Sequence, residues 1–191
     1  MKKLLLILIL TLSFQILSKA DDIRDFEIEG MSVGDSLLDY VPVETILKEI
    51  KAATIYPSSD KFKILYIELD NYTTYQHLNV TIKTNDLKYK IYSLNGYIEK
   101  NLADCLKMKK TAIKEISNIL PQANLYSYEN DYSKKYKDSF AYVDDFNIEN
   151  GAVRVWCDVW DKNLNTNWPD SFNVSAGNAE FNAFLENEAY K

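Results

Sequence analysis

The chain has a single histidine, His77, and only two cysteines, Cys105 and Cys157, in 191 residues. A zinc centre of the usual Cys/His type cannot be assembled from that stock, so no metal is expected. A serine or cysteine nucleophile would have one candidate base in the whole chain. Positive charge is also short: 22 Lys+Arg stand against 28 Asp+Glu, a net charge of −6. Nucleic acid and anionic membrane surfaces both demand basic patches, and neither is an expected partner. No apolar run after the first twenty residues is long enough to cross a bilayer, and no low-complexity linker divides the chain.

The start of the chain carries an address. Lys2 and Lys3 precede an apolar run from Leu4 to Leu17, and Ser18-Lys19-Ala20 forms a small-residue cleavage frame. That is the anatomy of a secretory signal peptide over 1–20, with an uncleaved anchor as the competing reading. No cysteine follows the frame, so a lipoprotein anchor is unsupported. The leader contains three lysines and no acids, leaving 19 Lys+Arg against 28 Asp+Glu in a chain of 171 residues over 21–191. That length suits one domain, exported to the periplasm or the exterior.

In an exported chain the two cysteines are expected to pair. Cys105 falls on the apolar stripe of a predicted helix with Leu102, Leu106, Ile113, Ile116 and Leu120. Cys157 shares a strand face with Val153, Val155 and Val159. Both therefore point inward. Closing a loop of about 50 residues stabilises by roughly 4 kcal/mol in the chain-entropy account.

Hydrophobic periodicity predicts a helix over 42–52, with Val43, Ile46, Leu47 and Ile50 on one face, then strands at 62–69, 77–83 and 88–99. Asn101 caps a helix over 102–120, and the polar, Tyr-rich segment 122–138 reads as a loop. Strands at 140–148 and 152–160 meet at Asn150-Gly151, a strong hairpin signal. A strand at 171–175 leads to a C-terminal helix with Phe181, Phe184 and Leu185 at helical spacing. Short connections imply antiparallel pairing, hence an α+β fold: about six strands packed by three helices, in a helix-plus-three-strand pseudo-repeat. Helices on one sheet face would leave the other partly solvated.

Two serine motifs overlap near the mature start. Gly30-Met31-Ser32-Val33-Gly34 has the G-x-S-x-G frame of α/β-hydrolases, and Gly34-Asp35-Ser36-Leu37 resembles the first block of the GDSL esterases. A nucleophile elbow needs a buried entering strand and a parallel sheet, and the antiparallel order supplies neither. The GDSL family's later blocks are missing, and no histidine follows His77 to serve as base. A chain order of Ser32, Asp70 and His77 can be drawn, but nothing local positions it. The glycines instead suit unusual backbone angles, with Asp35 or Ser36 capping a short turn that Leu37 and Leu38 anchor.

A broader likeness lies in "DFEIEGMSVGDSLLDY" after a leader, a mid-chain helical Cys, and "VWCDVWD" followed by "WPDSFNVSAGNAEFNAFL". In this the chain resembles uncharacterised small exported proteins of AT-rich marine alphaproteobacteria. The resemblance implies export and says nothing about chemistry.

The strand at 152–160 offers the candidate site. Its outward face carries Arg154, Trp156, Asp158 and Trp160, residue types that dominate binding surfaces and stack on sugar rings. Burial of both tryptophans beneath helices is the competing reading. Asp144 and Asp145 point to opposite faces and make no acid/base pair. The loop from Asp161 to Asn167 alternates oxygens as a calcium loop does, but Thr166 and Phe172 stand where an EF-hand places Gly and Glu. No cofactor is expected. The leading expectation is a non-catalytic binding or interaction protein with an envelope protein or small ligand as partner. The alternatives are a serine hydrolase using Ser32 or Ser36, and a carrier of an apolar or carbohydrate ligand.

Overall fold

The computed structural model describes residues 22–69, 72–164 and 168–191. The expected signal peptide, Asp70 and residues 165–167 at the end of the 161–167 loop lie outside these residues. A short hairpin opens the fold, β1 (Glu27–Ile28) and β2 (Met31–Ser32), followed by helix α1 (Val43–Ala52). Four strands then meander: β3 (Thr54–Tyr56), β4 (Ser59–Ile67), β5 (His77–Lys83) and β6 (Ile91–Glu99). Helix α2 (Leu102–Ile119) leads to a second meander of β7 (Asn124–Asp131), β8 (Phe140–Ile148), β9 (Gly151–Val159) and β10 (Ser171–Asn178). Helix α3 (Ala179–Asn187) ends the chain.

All eight strands form one antiparallel sheet in the order β3-β4-β5-β6-β10-β9-β8-β7. The α+β class is as the sequence implies, but the expected six strands become eight, and each repeat is a helix plus four strands. The additions have a physical explanation. All eight residues of β7 are exposed, so it has no buried face to impose alternation, and it is held by its ladder to β8. β3 has only three residues and a register shift against β4.

The sheet has two unlike faces. Leu65, Leu78, Val80, Leu94, Val155 and Val174 turn to one side, where α1, α2 and the N-terminal segment cover them. Helix α3 lies on the opposite side, contrary to the expectation of helices on one face. Its Phe181 and Phe184 pack edge-on with Tyr56, Phe62 and Tyr92, with Phe62 4.9 Å from Phe184 between ring centroids. Spacing alone also overstated two apolar stripes. Ile46 is buried and Ile50 half-buried, but Val43 and Leu47 on α1 and Leu106 on α2 remain exposed.

Asn101 caps α2 by accepting from the Asp104 N–H at 3.0 Å. In the first turn Cys105 is bridged to Cys157 on β9, with Cα atoms 5.9 Å apart and a sequence separation of 52. The bond clamps α2 to the second meander inside the core. Asp144 and Asp145 diverge as the strand period requires: Asp144 pairs with Lys109 of α2 in the interior, Asp145 with Arg154 on the other face.

The N-terminal segment is tied down by one carboxylate. Glu29, at φ 52°, accepts from the backbone N–H groups of Thr73, Thr74 and Tyr75 and from the Thr73 hydroxyl, all at 2.8 Å. Burial alone would raise this carboxyl, but the donors together hold it below its ordinary value. Tyr75 in turn lies flat over Gly96 of β6, where an added Cβ would sit 2.6 Å from its ring.

Cys105→Ala/Cys157→Ala should lower the unfolding free energy by about 2–4 kcal/mol in urea titrations, and reductant should change only the wild-type. The depressed Glu29 stabilises above the unfolded-state carboxylate pKa and ceases to as pH falls through its folded value. Glu29→Gln should therefore be clearly less stable than wild-type at pH 7, with the gap narrowing below about pH 4.

Candidate functional site

The face that α1 and α2 leave free is organised around the pairing of β6 with β10. Residues at alternate positions on these strands present small polar groups: Ser93 and Asn95 from β6, Ser171, Asn173 and Ser175 from β10. Aromatic side chains rise on either flank. The cross-strand row is His77, Tyr97, Asn173, Trp156, Val143 and Tyr128, read from β5 to β7. His77 and Tyr97 stack at 4.4 Å with 20° between planes, and Tyr66 hydrogen-bonds to the His77 ring.

The result is an open groove with a cavity volume of about 380 Å³. Asn79, Asn95 and Asn173 line it together with Tyr97 and with Trp156, Trp160 and Trp168. The Asn95 Oδ1 is buried and has no hydrogen-bond partner among the described residues. A second recess of about 420 Å³ lies next to it, between α3 and strands β8, β9 and β10, lined by Asp145, Arg154, Ser175, Asn182 and Glu186 among others, with Ser93 from β6.

Of the four residues expected on this face, Trp156, Asp158 and Trp160, the last one residue beyond β9, line the groove, whereas Arg154 lines the neighbouring recess; Trp156 and Trp160 are half-buried. The two charged members are already engaged. Arg154 donates to both carboxylate oxygens of Asp145, at 2.6 and 2.9 Å, and these bonds raise its pKa further. Asp158 accepts from the Trp156 indole at 2.8 Å, the Tyr132 hydroxyl at 3.1 Å and the Asn173 amide at 3.2 Å. Burial raises the Asp158 pKa, and those three donors oppose the rise. Asp158 thus holds the Trp156 ring in one orientation.

Further aromatic residues join that the sequence did not bring forward. Trp160 stacks on Tyr132 at 5.4 Å and meets Tyr136 and Trp168 edge-on at 5.6 and 4.8 Å. The one available signal was Tyr132 and Tyr136 in a segment otherwise polar. Tyr97, Asn95 and Asn173 gave none, because their adjacency depends on strand order.

The serines lie elsewhere. Ser32 is buried, its hydroxyl 3.5 Å from the Phe26 carbonyl, and its N–H donates to Asp35. Ser36 caps a 3₁₀ turn over Leu37–Asp39, accepting from Leu38 N–H and donating to the Lys88 carbonyl. Leu37 anchors this turn while Leu38 is 44% exposed, so only one of the two expected anchors is internal. Gly30 and Gly34, at φ 77° and 104°, supply the left-handed backbone the segment needs. Ser36 bridges Lys90 at one end of β6 and His77 pairs with Tyr97 at the other, about 20 Å away at the rise of a strand.

Among the described residues no His/Cys/Asp/Glu cluster could hold a metal, and no helix is long and apolar enough to cross a membrane. In the 161–167 loop, Asp161 accepts from Asn163 in a local turn. Comparison with family models, with curated proteins and with solved structures returned no match.

A fluorophosphonate probe should leave Ser32 and Ser36 unlabelled, read by intact mass. Iodide should quench a substantial part of the tryptophan fluorescence, because Trp168 is 43% exposed and the other two are partly so.

Proposed function

We propose that the protein is exported to the periplasm or the exterior and works as a non-catalytic binding protein, with the open sheet face as its binding surface. One observation carries this reading: part of one sheet face is left without a helix, and that part concentrates aromatic and amide side chains along one groove. A face with no such role would more economically be covered or charged, since exposed aromatic surface invites association. The core disulfide and the leader pattern support the exported setting. A hydrolase reading has less support, because both serine hydroxyls are occupied locally and the one histidine is packed between tyrosines.

The test is gentle recovery of tagged protein from the envelope fraction of its source, with co-purified proteins and small molecules read by mass spectrometry. Wild-type should carry a cargo in fixed stoichiometry, and Trp156→Ala/Trp168→Ala should lose it while keeping its melting temperature within a few degrees. Cargo retained by that variant would place the binding surface elsewhere.

A further inference from the structure

We propose that the groove binds a neutral oligosaccharide, laid along the β6–β10 pair with one sugar ring between Tyr97 and Trp156. The inference rests on the binding reading above and names its ligand class.

The chemistry of the lining selects among ligands. Tyr97 and Trp156 flank Asn173 on successive strands, so their backbones are about 10 Å apart at the spacing of two ladders. A gap of that width between aromatic side chains takes a ring with an apolar C–H face. The floor beneath offers amides at Asn79 and Asn95, groups that donate and accept as a ring fringed with hydroxyls requires, beside Asn173, whose Nδ2 already donates to Asp158 and Ser171. Asn95 supplies the second, independent pointer: it lines the groove, and its carbonyl oxygen has no donor among the described residues.

Charge argues in the same direction. Among the described residues no Lys, Arg or His lines the aromatic part of the groove; in the adjoining recess Arg154 is held by Asp145 and Glu186 adds a negative charge, so an anionic ligand finds no free counter-charge. Asp158, the one ionisable acid in the lining of the aromatic part, has three donors already on its carboxylate. Length is set by the neighbouring recess. Asn95 and Asn173 line the groove, and Ser93 and Ser175, two residues along the same strands, line the recess, so the two form one trough. A chain of several sugar units fits a trough better than a single one.

The test titrates the full mature protein with maltohexaose, cellohexaose, xylohexaose and chitohexaose, followed by tryptophan fluorescence and calorimetry. Glucose serves as the single-unit control and choline as the cationic competitor for an aromatic site. At least one hexasaccharide should bind saturably and more tightly than glucose. Trp156→Ala and Asn95→Ala should each weaken that binding by about tenfold or more. Trp168→Ala, at an exposed position, guards against a folding defect and should also weaken it. The proposal is overturned by no saturable binding across the four hexasaccharides, by binding that survives Trp156→Ala and Trp168→Ala undiminished, or by choline alone binding. A protein partner recovered from the envelope and lost on mutation, with no hexasaccharide bound, would sink the saccharide while leaving the binding face intact.

Discussion

The antiparallel ladder between β6 and β10 is the constraint on which the molecule depends. Each meander is local, with every strand next to its sequence neighbour, and each could be drawn without the other. What makes one sheet of them is the register of Ser93–Glu99 against Ser171–Gly177, a pairing across some 80 residues of chain. Contacts so distant in sequence must overcome loop-closure entropy before they contribute. The fold places its one covalent cross-link close to that problem. The Cys105–Cys157 bond ties the first turn of α2, which directly follows β6, to β9, which directly flanks β10. The span left to be closed by non-covalent pairing is thereby much shortened.

Because side chains alternate along a strand, this ladder also determines what each face can do. On the covered side it offers Leu94, Ile98, Phe172, Val174 and Ala176 to the core, and Gly96 makes room for Tyr75. On the other side the same strands can present only the intervening residues, which are small apart from Tyr97 and, at the end of the ladder, Glu99. Helix α3 covers part of that side, but nine residues span only about 14 Å. The remainder of the face stays open. Its floor is low at Asn95 and Asn173 and high where Tyr97 on β6, Trp156 on β9 and Trp160 and Trp168 beyond β9 stand. A trough is the geometric outcome, and its polar floor is tolerable because Asn173, 5% exposed, is held by Ser171 and Asp158.

Local patterns made much of this legible. The strand at 77–83 was readable from alternation alone, because Leu78, Val80 and Ile82 fill the core while His77, Asn79 and Lys83 do not. The helix beginning at Leu102 announced itself through Asn101, and the Cys157 face through its valines. Strand β7 could not be read this way: "NLYSYEND" buries neither face, so its conformation is imposed by β8 rather than by its own periodicity. The site was half legible. Trp156 and Trp160 follow from one strand's alternation, but Tyr97, Asn95 and Asn173 become a site only when β6 and β10 are neighbours, and no local signal encodes that. The side taken by α3 was hidden for a related reason. Its phenylalanines show an apolar stripe, but which face receives it depends on where Phe62 and Tyr92 have been placed.

The charges of Arg154 and Asp158 near the groove are already paired with neighbouring side chains. The Arg154 guanidinium is held at two points by Asp145, whose carboxylate also accepts from Tyr128. An anion arriving at Arg154 would have to approach Asp145 as well, and the like charge would offset most of what the guanidinium offers. Asp158 is similarly committed, and its role is to fix the indole beside it. With its ion pairs closed internally, the face has aromatic planes and amide groups left to offer. Those interactions favour flat, hydroxylated and uncharged surfaces, and they work without displacing any partner the side chains already have.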